Sequence, residues 1–332
     1  MPAAGWVAED QALDSAWLAD SGLESAAKAA SENFPVALRL LPSRYRQYLQ
    51  AVYCFARTTD DAGDLAPPGQ RVRLLAELAD DVRRLYAAQE AAASAGTREP
   101  ARPGEPGGNG PSRAGEPGGT GVAGADGGAR LAAVRGLADV AADCAVPMQL
   151  FLDLIAAGEQ DQVVTRYETF EELVGYCRLS ANPVGRIVLH VFGVSTPNRE
   201  EWSDSICTGL QLAEHLQDVG EDMRAGRIYL PAADMQAFAC SEEDLLAPHA
   251  AQRLRQLIEF EVGRARELID AGAPLVGTLR GAARVAVAGY VAGGRAALAA
   301  IAAADYDVLS ATPRPGKGRT VAELVAAYVR AR

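Results

Sequence analysis

Two pairs of aspartates constrain this chain more than any other feature. Asp60 and Asp64 stand four residues apart in YCFARTTDDAGD (53–64), and Asp218 and Asp222 repeat that spacing in LQDVGEDMRAGRIYLP (216–231). A helix turns about 100° per residue, so positions i and i+4 share a face. Like charges stacked this way repel by roughly a few tenths of a kcal/mol in an isolated helix. The first pair follows an apolar helical run, LQAVYCFA, and each pair has arginine nearby: Arg57 at the first, Arg224 and Arg227 at the second. A solvated acidic face would explain one such pair. Two of them, each on an otherwise core-like helix, point to a cation shared between the helices.

Helical period dominates elsewhere. In QRVRLLAELADDVRRLYAAQ (70–89), Val72, Leu75, Leu78, Val82 and Leu85 are predicted to line one face. Thr169 and Glu172 read as a capping box before the stripe that contains Leu173 and Tyr176. Thr196 followed by Pro197 reads as a cap with proline at the first helical position, opening a long helix expected to reach about residue 223. Thr320 and Glu323 are expected to cap a short last helix. Alternating strands with turn signals at regular spacing are absent from the sequence. The fold class predicted is all-α, a single domain over 1–332.

Residues 97–129 break the pattern. They are rich in Gly and Pro, with GEPGG occurring twice. Such a segment cannot bury enough apolar surface to offset its ordering entropy. It reads as a disordered insert between helices of one array, because both flanks are helical.

Composition excludes several classes. Hydrophobic residues make up 49% of the 332 residues, enough for one large core or two smaller ones. A formal net charge of −11 argues against general nucleic-acid binding. The five cysteines are scattered without a C-x-x-C, which argues against a disulfide framework or zinc site and fits a reducing cytoplasm. The start, MPAAGWVAEDQALD, does not read as a secretory signal. Apolar runs such as VAVAGYVAGG fall short of the ~18 residues of a spanning helix, so a cytoplasmic protein is expected. Peripheral contact with the inner face of a membrane stays open.

The chemistry that wants two facing carboxylate pairs is diphosphate binding. Mg²⁺ takes oxygen ligands and is held by a few carboxylates, waters and substrate phosphates. Several ions between four carboxylates would neutralise a diphosphate and make it a better leaving group, with Arg57, Arg224 and Arg227 contacting phosphate oxygens. An apolar cavity with aromatic faces would then hold a carbocation away from stray water.

RTTDDAGD and QDVGEDMRAGRIYLP resemble the two aspartate-rich regions of the squalene/phytoene synthase family. ENFPVALRLLP (32–42) and YCRLSANPVG (176–185) resemble its N-terminal and central motifs, so four motifs in order cover most of the chain outside the insert. The resemblance implies a terpenoid-synthase helical bundle with a central cavity and Mg²⁺-dependent chemistry on prenyl diphosphates. It assigns Asp60, Asp64, Asp218 and Asp222 to metal, and Arg57, Gln211, Arg227, Phe34 and Tyr290 to substrate. Tyr176 matches the cavity tyrosine of the central motif.

Departures from the coupling enzymes narrow this. Those enzymes usually carry Asn at the place of Glu214, Arg at the place of Gln217, and A-G-x-V-G where this chain has Ala181-Asn182-Pro183-Val184-Gly185. The combination is similar to the hydroxysqualene synthase branch of bacterial hopanoid pathways. That branch implies presqualene diphosphate as substrate, water capture and no NADPH; the polar departures make Asn182 or Glu214, together with His215, the candidates to fix the attacking water. Its functional partners would be a presqualene diphosphate synthase and a hydroxysqualene reductase. The alternatives are head-to-head coupling and a catalytically silent assembly factor. From the residues alone, Asp61 is either structural or a support for the site. His215, on the Asp218/Asp222 face, either orients water, pairs with a carboxylate or is structural.

Overall fold

The protein is described by a computed structural model over residues 41–96 and 131–330. All regular elements among these residues are helical. In chain order they are α1 (Ser43–Asp64), α2 (Arg71–Gly96), α3 (Ala132–Arg135), α4 (Ala138–Cys144), α5 (Met148–Gln160), α6 (Phe170–Ser180) and α7 (Asn182–Val191). Then come α8 (Pro197–Gln217), α9 (Val219–Arg224), α10 (Ala232–Ala237), a 3-10 turn (Glu242–Leu246), α11 (Gln252–Gly272), α12 (Leu275–Thr278), α13 (Gly281–Ala303) and α14 (Lys317–Arg330). Phe34 and the insert at 97–129 lie outside the described residues, as does most of the N-terminal motif.

Apolar periodicity sets what each helix buries. Along α2, Leu74, Leu75, Leu78, Val82 and Leu85 are fully buried. Val72, expected on this face, is exposed, and Leu74 takes its place because the buried stripe is centred nearer Leu78. Past the insert the chain returns to α2 itself: the Leu131 amide donates to Asp81 Oδ2 at 2.8 Å, and Asp81 is fully buried.

The caps are partly as predicted. Thr196 accepts from the Arg199 amide, with Pro197 at the first turn of α8. Thr169 accepts from the Glu172 amide, but the Glu172 carboxylate accepts from the Glu168 amide, one residue short of a closed box. The last helix starts before Thr320, which lies inside α14. The long helix does not run unbroken to residue 223: it ends at Gln217, Asp218 leaves helical geometry at φ −105°, ψ 11°, and α9 resumes the turn. The Asp218 carbonyl still accepts from the Asp222 amide at 2.8 Å, so both carboxylates stay on one side of the break.

Helix α8 runs through the middle of the array, against α6, α7, α11 and α13. Its crossing with α11 depends on glycine. A Cβ at Gly209 would stand 2.7 Å from Ile269, and one at Gly272 would stand 2.4 Å from the Trp202 carbonyl. Only a missing side chain lets the two backbones approach this closely. Helix α13 is long and apolar enough to cross a membrane by length and composition, contrary to the expectation from shorter apolar runs. Half of its apolar stretch is buried inside the protein, against α8, α11, α12 and α14, where it acts as a core helix.

Candidate active site

The two aspartate-bearing segments face each other across a cavity of about 330 Å³. Asp60 and Asp64 project from the last turns of α1; Glu214 and Asp218 come from the end of α8, and Asp222 from α9. The inner wall between them is α5, at Leu154, Ala157 and Gly158. That wall is close-fitting, since a Cβ on Gly158 would meet Leu75 at 3.2 Å.

Concentrated negative charge has visible consequences. Asp60 is open to the cavity but enclosed by protein, so desolvation pushes its carboxyl up to about 7, opposed by Arg57 and reinforced by Asp64 and Glu214. Desolvation and then Asp218 likewise push Asp222 up to about 7. Asp218 is raised by desolvation and by Glu221. Each of these groups lacks a full complement of positive charge.

Two arginines enter the same space. Arg57 pairs with Asp61 at 2.9 Å. Asp61 is buried and does not line the cavity, so it braces Arg57 from behind. Arg227, from the loop after α9, reaches Asp64 at 2.7 Å. Burial opposes the Arg227 charge, but the hydrogen bond to Asp64 and the neighbouring acidic groups raise its pKa overall. Arg224 is exposed and does not line the cavity.

An aromatic group closes the cavity on one side. The Tyr176 hydroxyl donates to Asp161 Oδ2 at 2.7 Å, and the Tyr229 hydroxyl donates to Asp161 Oδ1 at 3.2 Å. Both phenols are held above their ordinary range by desolvation and then by Asp161. His215 stacks on Tyr229 with ring centroids 3.8 Å apart. Desolvation, with Arg227 second, pushes His215 down to about 3, so the ring is neutral near pH 7. His215 Nε2 meets Gln211 Nε2 at 3.3 Å, and Nδ1 is 4.0 Å from Asp222. A neutral ring makes no ion pair there; its place is in the aromatic stack.

A second cavity, of about 320 Å³, adjoins the first. Its walls are apolar, formed by Val188, Leu189, Ile206, Leu210, Leu275 and Val287, with Tyr290 among them. Ser180, Val184, Gln211 and Glu214 line both cavities and mark where they meet.

The structure therefore brings together Asp60, Asp64, Asp218, Asp222, Arg57, Gln211, Glu214, Tyr176 and Arg227, and places Tyr290 in the adjoining cavity. Asn182 is placed apart from this group. It lines neither cavity; its side-chain carbonyl accepts from the Thr208 hydroxyl at 2.9 Å, and it is buried where α7 crosses α8. Its carbonyl oxygen is thereby held between the two helices, away from both cavity walls. Gln217 also turns away, donating to the Pro313 carbonyl.

Asp161, Gln162 and Ser180 line the first cavity without having been singled out from the sequence. The one available signal was the polar cluster Glu159–Gln162 at the end of an apolar helix. Among the described residues, no three His, Cys, Asp or Glu side chains converge to hold an ion unaided. The donor set is oxygen-rich and split between facing walls, which suits a hard cation that takes its remaining ligands from water and a phosphate group.

Comparison with known proteins identifies the family and the fold. The squalene/phytoene synthase family profile matches residues 27–319. A hydroxysqualene synthase of Sinorhizobium fredii is 31% identical over 263 residues, 78% of this chain and 75% of that protein. A hydroxysqualene synthase of Zymomonas mobilis is 33% identical over 241 residues, 72% of this chain and 67% of that protein. The solved structure of a squalene synthase from Alicyclobacillus acidocaldarius has a TM-score of 0.67 and 34% identity, covering 82% of this chain and 89% of that one. A dehydrosqualene synthase structure, 23% identical, shares the fold with a TM-score of 0.70 over 98% of this chain and 99% of that one. The chain belongs to the squalene/phytoene synthase family, whose members act on prenyl diphosphates.

Proposed function

We propose that this enzyme converts presqualene diphosphate to hydroxysqualene in squalene and hopanoid biosynthesis. The carbon–oxygen bond to diphosphate breaks with its electron pair leaving on the diphosphate. The cyclopropylcarbinyl cation rearranges, a water oxygen bonds to the cation, and one proton is released. The balance needs no reductant, so NADPH takes no part.

Asp60 and Asp64 on one wall and Asp218 and Asp222 on the other would hold Mg²⁺. Bound there, the metal supplies charge neutralisation of the diphosphate leaving group. Arg57 and Arg227 contact phosphate oxygens from either side. The hydrocarbon occupies the apolar cavity, whose walls exclude bulk water, while the aromatic faces of Tyr176 and Tyr229 stabilise positive charge. Glu214, at the junction, accepts a hydrogen bond from the attacking water and takes its proton.

The observation that carries this reading is the meeting of an acidic and an apolar cavity at a carboxylate, Glu214. Similarity to hydroxysqualene synthases over most of the chain supports the same reading. The partners would be a presqualene diphosphate synthase upstream and a hydroxysqualene reductase downstream, in the cytoplasm. A second reading, head-to-head coupling, is favoured by one observation: a 15-cis-phytoene synthase of Synechocystis is 41% identical over 135 residues, 37% of this chain. Purified protein given presqualene diphosphate and Mg²⁺ in H₂¹⁸O separates them. Labelled hydroxysqualene without NADPH is expected. Consumption of farnesyl diphosphate alone, or squalene on adding NADPH, selects the coupling reading. No diphosphate release from either substrate would leave only a non-catalytic assembly role.

A further inference from the structure

Helix α14 has two apolar faces, and the fold uses one. Leu324 and Ala327 pack inward, on the side that meets α13. Val321, Val325, Tyr328 and Val329 are exposed, three of them by more than half of their surface. Their spacing of i, i+4, i+7 and i+8 makes a continuous stripe along the helix. Single exposed valines are ordinary, but a contiguous stripe marks a contact surface.

Charge indicates what that contact is. Residues 280–332 hold eight Arg or Lys against three Asp or Glu, while residues 1–279 hold 24 against 40. The end of the chain that carries the stripe is thus basic on an acidic protein. Arg284 borders the stripe directly, with its guanidinium 4.4 Å from the Tyr328 ring centre and donating to the Tyr328 carbonyl at 2.8 Å. Arg319 is exposed on the first turns of the helix. A basic, amphipathic surface helix of this kind suits an interface of apolar chains beneath anionic headgroups. An acidic protein partner would match the charge but would leave the valines without a purpose.

Position adds a third observation. The inner face of α13 lines the apolar cavity through Val287 and Tyr290, and Leu275 of α12 lines it as well. Both helices pack against α14. A surface that held α14 would bring the apolar cavity close to the lipid phase, where a long-chain isoprenoid partitions. This last point rests on the substrate reading above; the stripe and the charge do not.

We propose that α14 docks the enzyme on a bilayer containing anionic lipid, with Val321, Val325 and Val329 in the acyl boundary and the neighbouring arginines at the phosphates. The test is co-sedimentation of the full chain, without substrate, with vesicles of phosphatidylcholine alone or mixed with phosphatidylglycerol. Binding to the mixed vesicles that weakens with added salt is expected. The triple variant Val321→Ser/Val325→Ser/Val329→Ser should bind more than about tenfold more weakly, with an unchanged melting temperature and unchanged turnover in detergent. No binding to mixed vesicles, or equal binding by the triple variant, would overturn the proposal. So would a wild-type dimer in sedimentation velocity that the triple variant dissolves, since the stripe would then be a contact between copies. Because binding is read without turnover, failure on presqualene diphosphate in detergent counts against the reaction and leaves the docking result standing.

Discussion

Arg227 bridges the two aspartate-rich segments by pairing with Asp64, its Nη1 2.7 Å from Oδ1. The two residues are 163 positions apart in the chain. The pair ties the loop after α9 to the end of α1, so the facing carboxylate walls are held in register. Asp64 cannot at once keep Arg227 fully engaged and give all its oxygens to a cation. Arrival of metal and diphosphate would transfer the guanidinium from the carboxylate to a phosphate oxygen.

Arg227→Gln should therefore cost activity far more than stability. The Asp64 side chain is 44% exposed, so solvent screens the pair and its loss should cost no more than about 1 kcal/mol. Turnover should fall by at least about a hundredfold, since a charge-assisted phosphate contact and the register of the walls are lost together. Arg227→Lys should recover part of the activity, lacking the bidentate fork. Steady-state kinetics beside a melting curve separates these outcomes; an equal loss in both would mark Arg227 as purely structural.

The raised carboxyls predict a pH dependence of the metal-free protein. Asp60 and Asp222 sit at about 7 in the folded chain against an ordinary value of 3.8. A carboxyl raised on folding binds its proton more tightly in the native state, so its stabilising effect is present below about pH 4 and lost as pH rises through about 7. Melting temperature without metal should fall across that window. Asp60→Asn should flatten the fall and leave the protein at least as stable at pH 7, while losing several orders of magnitude in turnover. Inorganic diphosphate with Mg²⁺ should restore stability at pH 7 in wild type, and EDTA should abolish turnover reversibly. A melting temperature independent of pH from 4 to 7 would contradict the charge frustration.

Much of this site was legible because its carboxylates come in local pairs. Asp60/Asp64 and Asp218/Asp222 obey helical spacing, and spacing is visible in sequence. Asp161 has no such partner: it meets Tyr176 and Tyr229 only because α5 ends beside α6 and the loop after α9. Contacts between distant segments leave no periodic trace. The same limit explains Asn182, whose neighbour across the helix crossing, Thr208, is 26 residues away. It also explains the break at Asp218. Helical spacing continues through residue 222 in the sequence, while the backbone bends to turn both carboxylates to one cavity.

Asp161 should matter more for the products than for the rate, because it acts through the aromatic wall. Its two oxygens hold two tyrosine hydroxyls, and so fix the aromatic wall that His215 continues. Asp161→Asn keeps one acceptor and should lower turnover moderately. Asp161→Ala frees both phenols and should broaden the products toward rearranged or dehydrated hydrocarbons. Product analysis by mass spectrometry checks the order; identical products from both variants would remove Asp161 from cavity shaping.

The Gly/Pro-rich segment should be replaceable so long as the return to α2 is kept. Substituting residues 97–128 with a short Gly/Ser linker should change melting temperature and turnover little. Asp81→Ala should instead destabilise by about 1–3 kcal/mol, because the half-buried Leu131 amide loses its acceptor and Arg84 loses its partner. Denaturant midpoints distinguish the two. An insoluble linker variant would show that the segment covers part of the core.

The fate of the cation should depend on Glu214 and be indifferent to Asn182. Glu214 lines both cavities, and in the proposed reaction its carboxylate takes the proton of the attacking water. Glu214→Gln keeps shape and hydrogen bonding but cannot accept that proton at neutral pH. Diphosphate release should continue at a reduced rate, while the alcohol's share of products falls in favour of dehydrated hydrocarbons. Asn182 bonds Thr208 between α7 and α8, outside both cavities. Asn182→Ala should thus lower stability by about 1–3 kcal/mol, as expected for a buried hydroxyl left without its acceptor, and should leave the ratio of alcohol to hydrocarbon unchanged in the protein that remains folded. Measuring both the melting temperature and the ¹⁸O-labelled product ratio for each variant tests the assignment. A product shift from Asn182→Ala without one from Glu214→Gln would mean that the water is placed from the α7–α8 crossing and not from the junction of the cavities.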